Sequence, residues 1–434
     1  MLSPPAGGPS KNFAAGLYSP PDSFIHKSFV AGSADLRLAV VSSFLDRRHG
    51  TERALAELIE RLARDYGCEI HLFAQRVEDF PVTPWDRNHT SSGGAVLWHR
   101  VPTLGGPLLF NFASWYFLNR VWRRAFAFFA RSPFDVVLSP GINCSDADVI
   151  IVHAIFHRLR QLAREQGGAM TLPSGPLRRV HRRVYYWLLT RLERRVYANP
   201  RVILAAVSRR TAGQLAGLFH RDDAHVVPNG VDTTQFSPAM RSARRAEARL
   251  HRHLQPSDFL LLLIGNDWEV KGLPTILHAM AASADLPIHL LVVGGDAPEP
   301  FQKLSESLGL SARCFWEPPA GAVLDFYAAA DLYVSPSRED SFALPVAESM
   351  ACGLPVITSV FAGVADLLHD GIDSFVLSDP LDASTLAKLF RLLYAQPQLR
   401  ERIGTAAAQT AGSWTWDRNA AAVWELLKSH TSPT

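Results

Sequence analysis

Cysteine is scarce in this chain: four among 434 residues, at positions 68, 144, 314 and 352. They form no metal-spacing pair and no disulfide framework, which predicts free thiols in a reducing compartment, the cytoplasm. No apolar run reaches the roughly 18 residues that a membrane-crossing helix needs. The start, Met1-Leu-Ser-Pro-Pro-Ala-Gly-Gly-Pro9, lacks a basic segment followed by an apolar one, so no secretory signal is expected. A strong charge imbalance is also missing, with 44 basic against 41 acidic side chains and a net charge of +3. No zinc-finger, aromatic RNA-binding or basic-leucine pattern accompanies that mild charge, so no nucleic-acid partner is expected. What is present, 47% hydrophobic and 20% charged residues, suits a globular protein with real cores. At this length two domains are expected.

Residues 1–34 are rich in Pro, Gly and Ser, have no clear period, and are expected to form a flexible extension. A first strand is expected over Leu36–Ser42. A helix follows, with Leu55, Leu58, Ile59 and Leu62 on one face at helical spacing. Further strands are predicted at Glu69–Ala74, Val96–Arg100, Asp135–Leu138 and Val149–Val152. The pattern restarts after about residue 200, with apolar strands at Val202–Val207, Phe259–Ile264, Ile288–Val293 and Leu332–Val334. Strands alternating with helices imply parallel βαβ units and doubly wound sheets.

The most informative stretch is Ser335-Pro-Ser-Arg-Glu-Asp-Ser-Phe-Ala-Leu-Pro-Val-Ala-Glu348, followed by Gly353-Leu-Pro355. It ends a strand, turns through an acidic pair, and enters a short helix that stops at the glycine and proline. Ligands of open α/β sheets bind at such carboxyl ends of strands. A helix start there also offers unpaired N–H groups to a phosphate. Asp340 and Glu348 are separated by seven residues. This segment resembles the donor-binding signature of retaining glycosyltransferases of the GT4 type, where the first acidic position is usually Glu. Asp340 keeps that register; Glu339, one residue earlier, is its rival for the same role.

The resemblance covers nearly all of 36–430 and implies an α/β fold of GT-B architecture, two Rossmann-like doubly wound domains facing a cleft. The expected division is an extension over 1–34, an acceptor domain over 35–200, a donor domain over 201–412, and a helix over 413–430 returning to the first domain. It further implies that Glu348 accepts hydrogen bonds from the ribose and that Asp340 holds hydroxyls of the donor sugar. The N–H groups of Ser341, Phe342, Ala343 and Leu344 would meet the diphosphate.

Four other constellations bear on this reading. Gly265-Asn266 closes a strand and Lys271-Gly272 opens a helix, which suits Lys271 to hold a phosphate by its point charge. GT4 enzymes often carry arginine at the position of Asn266, so a cation is missing there. His49-Gly50-Thr51 matches the glycine-bearing turn after the first strand, with Thr51 also readable as an ordinary helix N-cap. His153 follows a strand and is the candidate histidine facing the donor sugar, with His157 in reserve; the pair lacks the partners of a metal site. Last, Asn111–Arg131 and Arg178–Arg195 interleave arginines with aromatics, as helices on an anionic membrane do, or as core helices with a solvated face do.

The expected function is transfer of a sugar from a nucleoside diphosphate to a hydroxyl of a glycan, lipid-linked or other acceptor, with retention at the anomeric carbon. The expected site is Lys271, Asp340 and His153 for catalysis, with Glu348, Glu339, Gly50, Thr51, Gly265, Asn266 and residues 341–344 binding the donor. No cofactor and no metal are expected: Asp146-Ala-Asp148 precedes its strand rather than ending it. A UDP-sugar is slightly favoured over GDP- or ADP-sugars, and peripheral contact with the inner face of a membrane is allowed for. Two rival readings are a GT-B sugar-nucleotide epimerase and a catalytically silent binding protein.

Overall fold

Short strands, buried at the centre of each sheet, alternate with longer helices and give two large parallel sheets, with a two-stranded one formed by Phe44–Leu45 and Arg76–Val77. The computed structural model describes residues 36–84, 94–102, 108–131, 133–165, 176–255, 257–319 and 323–431. The extension expected over 1–34 lies outside the described residues.

The helices of the first half are α1 (Gly50–Tyr66), α2 (Leu108–Ala130), α3 (Phe156–Glu165), α4 (Pro176–Tyr197) and α5 (Arg209–Phe219). Its eight-stranded sheet runs in the order His225–Val226, Ile203–Ala206, Val149–Val152, Val136–Ser139, Arg37–Val41, Glu69–Ala74, Val96–Arg100, Thr83–Pro84. Leu38 sits at the centre, paired with Ile70 on one side and Val136 on the other. The face of α1 read from the sequence, Leu55, Leu58, Ile59 and Leu62, is buried against this sheet.

The second half carries α6 (Pro238–Leu250), α7 (Leu273–Ala281), α8 (Glu299–Ser307), α9 (Val323–Ala329), α10 (Leu344–Ala351), α11 (Ala383–Ala395), α12 (Pro397–Ala411) and α13 (Trp416–Thr431). Its sheet order is Cys314–Glu317, Ile288–Val293, Phe259–Ile264, Leu332–Ser335, Val356–Ser359, Phe375–Leu377, all parallel.

The expected boundary at residue 200 moves. Ile203–Ala206 pairs along its length with Val149–Val152, and His225–Val226 adds beyond it. The first sheet therefore runs on past 200, because Val202–Val207 is the apolar strand that fills its next edge position. The chain crosses into the second domain near Pro228–Val231. There the Val231 N–H donates to the Trp414 carbonyl at 2.7 Å. A Cβ on Gly230 would stand 2.3 Å from the Trp416 nitrogen, so only glycine lets the crossing and returning segments touch. Helix α13 lies back on α1 through Arg61–Asp417 at 2.7 Å and the Tyr66–Trp424 ring pair at 5.1 Å.

All strands of each sheet end at one edge, and these two edges meet across the cleft. A Cβ on Gly50, at the start of α1, would stand 3.7 Å from Leu344 Cδ1 at the start of α10.

Candidate active site

Lys271 owes its place to two turns. The loop after Phe259–Ile264 folds back so that the Lys271 N–H donates to the Asp267 carbonyl at 2.9 Å. Gly272 then adopts φ +84°, and a Cβ there would fall 2.3 Å from the Pro336 carbonyl oxygen. Only glycine lets this loop seat directly on the one that follows Leu332–Ser335. The contact brings the ammonium of Lys271 against Asp340 Oδ2.

Asp340 organises the turn that starts α10. Its Oδ1 accepts from the Ala343 N–H at 2.9 Å and the Phe342 N–H at 3.3 Å. Its backbone is laced to the neighbouring loop by Asp340 N–H to Phe361 O and Gly363 N–H to Asp340 O. Two of the N–H groups expected to meet a diphosphate are therefore already taken by the aspartate. A side chain this short curls back on its own turn, as aspartate commonly does. Ser341 points its carbonyl at Gly363, and Leu344 opens the helix after Ala343 at φ +71°.

Glu339, the next residue back, turns the other way. Its carboxylate accepts from Arg158 Nε of α3 at 3.0 Å, from Arg210 of α5 at 2.6 and 3.1 Å, and from Gln214 at 2.8 Å. It is a buried tie between the domains, not an open donor-binding group. Glu348 is 3% exposed. One of its oxygens accepts from the Tyr327 hydroxyl at 2.6 Å and the other meets the guanidinium of Arg53, from α1 of the opposite domain. Burial and the adjacent Glu348 push the Tyr327 hydroxyl well above its ordinary pKa, so it stays a donor.

Asn266 is exposed at the end of its strand. Its Oδ1 accepts from the Gly295 N–H at 2.8 Å, tying two loops of the second sheet. Gly265, at φ +140°, lies beside the Lys271 stem. On the other side, Asp46 shapes the approach to α1. Its Oδ1 accepts from the N–H groups of Arg48 and His49, both at 2.9 Å, and its Oδ2 meets His49 Nδ1 at 2.7 Å. The N-cap is therefore His49, not Thr51, which is the second residue of the helix.

His153 follows its strand and is half-buried, with no hydrogen bond among the described residues. Burial pushes its pKa down to about 4, so the ring is neutral at ordinary pH. His157 is engaged elsewhere. Buried Glu193 caps the start of α3 through the N–H groups of Phe156 and His157 at 2.7 and 2.9 Å, and holds His157 Nδ1 at 2.5 Å. Among the described residues no group of three His, Cys, Asp or Glu could hold a metal. The four cysteines are buried and form no disulfide among the described residues.

Two family models match most of the chain. Glycosyltransferase Family 4 covers residues 48–235, and Glycosyl transferases group 1 covers 246–410. The chain belongs to the GT4-type glycosyltransferases. Curated relatives include a D-inositol 3-phosphate glycosyltransferase of Thermomonospora curvata, 35% identical over 246 residues, 52% of this chain and 56% of that protein. One of Xylanimonas cellulosilytica with the same description is 30% identical over 52% of this chain and 57% of its own. The match thus spans little more than half the length of these relatives. Among solved structures, the glycosyltransferase WaaG of lipopolysaccharide biosynthesis is similar at TM-score 0.71 and 19% identity, over 90% of this chain and 99% of that one. Anabaena Alr3699/HepE in complex with UDP-glucose is similar at TM-score 0.64 and 16% identity, over 91% and 100%. These establish GT-B architecture for this GT4-type chain.

Four groups in its cleft escaped the sequence reading: Arg53, Tyr327, Arg158 and Arg210. Arg53 is the most accessible in hindsight, because it stands in the first helical turn after the matched glycine. The other three are distant in sequence from the carboxylates they hold, and no local pattern marks them. Arg158, Arg209, Arg210, Gln214, Val360 and Asp366 line an open cavity of about 460 Å³ between the domains, on the Glu339 side.

Proposed function

We propose that the chain transfers a sugar from a nucleoside diphosphate to an acceptor hydroxyl, keeping the configuration at the anomeric carbon. The observation that carries this reading is Lys271 held on Asp340 where the two domains' strand edges and helix starts meet. The bond from C1 to the diphosphate breaks as that from C1 to the acceptor oxygen forms on the same face of the sugar. The acceptor proton passes to a leaving phosphate oxygen, so no separate base is required. Negative charge grows on that diphosphate, and a fixed cation and helix N–H groups stabilise it most where water is excluded. Lys271 exchanges Asp340 for a phosphate oxygen. Asp340, so released, accepts from sugar hydroxyls, while neutral His153 offers a hydrogen bond without competing as a charge.

UDP is the favoured carrier, in line with the UDP and UDP-glucose named for the HepE structures. The acceptor enters from the first domain along the arginine-lined cavity. Thermal-shift titration with UDP-, GDP- and ADP-sugars tests the donor reading: stabilisation by one of them that is lost in Lys271→Ala supports it, and none from any overturns it.

A lipid-linked acceptor fits one further feature. Helix α2 leaves Phe110, Phe117, Val121 and Phe128 exposed at spacings of seven, four and seven, one helical stripe, with Phe129 80% exposed beside it. Helix α4 adds exposed Val180, Val184 and Trp187 among arginines. Bare aromatics beside cations suit the surface of an anionic membrane. Flotation with phosphatidylglycerol vesicles, against phosphatidylcholine vesicles as control, tests this.

A further inference from the structure

Asn266 stands where a second donor cation is expected, and it carries no charge and has its Oδ1 engaged by Gly295. Arg53 lies opposite, on the other domain. Gly50 and Arg53 are three apart on α1, and Leu344 and Glu348 are four apart on α10, so each pair lies along one helix face. Those faces meet twice, where a Cβ on Gly50 would stand 3.7 Å from Leu344 Cδ1 and where Arg53 reaches Glu348 Oε1. The side chain of Arg53 is 22% exposed, and that of Glu348, the carboxylate assigned to the ribose, is 4% exposed. Arg53 therefore repeats the arrangement of Lys271: a cation at the cleft, held by an acid that the donor is to use.

We propose that Arg53 is the second cation of the donor site. On donor binding its guanidinium leaves Glu348 for the diphosphate, and Glu348 turns to the ribose. Guanidinium suits this exchange, since its fork of donors meets phosphate as readily as carboxylate. Because the cation comes from the first domain, the diphosphate then bridges both domains, and donor binding draws the cleft shut. Lys271 and Arg53 thereby grip one diphosphate from opposite walls.

This inference rests on the cleft being a nucleotide-sugar site, and the test separates the two. Calorimetry compares UDP with UMP, and GDP and ADP with their monophosphates, on wild type and variants. The quantity read is the affinity gained from the second phosphate. Arg53→Met should lower that gain by about thirtyfold, the size of one charge-assisted phosphate contact. It should leave monophosphate binding near wild type. Removing Arg53 alone strands a buried carboxylate, so the double variant Arg53→Met, Glu348→Gln guards against misfolding. It should lose the same gain, whereas Glu348→Gln alone should keep it. If Arg53→Met and the double variant keep the gain while Lys271→Ala loses it, Arg53 is only a brace for Glu348 and the inference falls. If Lys271→Ala also keeps it, or no diphosphate binds wild type, the donor-site reading falls, and the inference with it.

Discussion

The two halves of this molecule reach the cleft by different means. The second half brings its groups on tight turns: Lys271 behind Gly272, and Asp340 curled over the Phe342 and Ala343 N–H groups. The first half brings them on helices, Arg53 on α1, Arg158 on α3 and Arg210 on α5, while α2 and α4 leave aromatics in solvent. A turn fixes a charge within its own backbone, independent of what packs outside. A helix places a charge by its docking, and its outer face is free to vary. On the proposed reading the second half serves one fixed chemical group, the diphosphate of the donor, and the first half serves the acceptor and its surroundings.

If that contrast holds, damage should be steepest at the turns. Lys271→Ala should lower kcat by about a hundredfold or more, as expected for one transition-state charge partner. His153→Ala, in the first half, should cost about tenfold, since a neutral ring supplies one hydrogen bond. Steady-state rates with the preferred donor decide the order, and equal losses would break the contrast.

A sharper version compares neighbours. Asp340 meets Lys271 and Glu339 meets Arg158 and Arg210, so one peptide separates two directions. Asp340→Asn should lower kcat/KM about thirtyfold more than Glu339→Gln, a gap of about 2 kcal/mol. Glu339→Gln should instead lower the melting temperature, because two arginines lose their shared carboxylate. The opposite ranking in kcat/KM would move the donor contact to Glu339.

Stability separates the halves by a different route. Gly272→Ala forces a Cβ into the Pro336 carbonyl at positive φ, and should cost about 2–3 kcal/mol in denaturant unfolding. Phe128→Ser and Phe129→Ser, exposed on α2, should change stability by no more than about 0.5 kcal/mol while reducing vesicle binding. A large unfolding effect of the serine variants would mean that the stripe is covered by protein.

A further effect is one of pH. Burial holds His153 at about 4 and His99 at about 3, both in the first half. The unfolded chain, with histidines near 6.5, binds more protons than the folded one between those values and 6.5. Stability should therefore fall as pH drops from about 6.5 towards 4. A melting temperature that is flat over this range in wild type would show that neither ring is held neutral.

The fold was largely legible because parallel strands buried on both faces leave unbroken apolar runs, such as Phe259–Ile264. The domain boundary was not, since a strand at the edge of one sheet looks the same as one that opens the next. Lys271, Asp340 and Glu348 could be placed at strand-to-helix turns because turns and short helices encode their own geometry in glycine, proline and spacing. Nothing local told that Glu339 would be claimed by Arg158 and Arg210, over a hundred residues before it. Asn266 read as a weakened phosphate contact until Gly295 appeared as its partner. Exposure of Phe128 and Phe129 beside buried Trp115 on one helix likewise depends on what packs against each face.

The most direct test follows the anomeric proton of the donor by NMR in the presence of wild-type protein, with UDP-glucose first and GDP- and ADP-sugars after it. The account predicts that one donor is consumed with release of its nucleoside diphosphate, that the new glycoside or slowly formed free sugar first appears in the donor's own configuration, and that Lys271→Ala abolishes the signal change. Inversion at that carbon, epimerisation of the donor with the nucleotide still attached, or donors that all stay intact and bind nothing would contradict it.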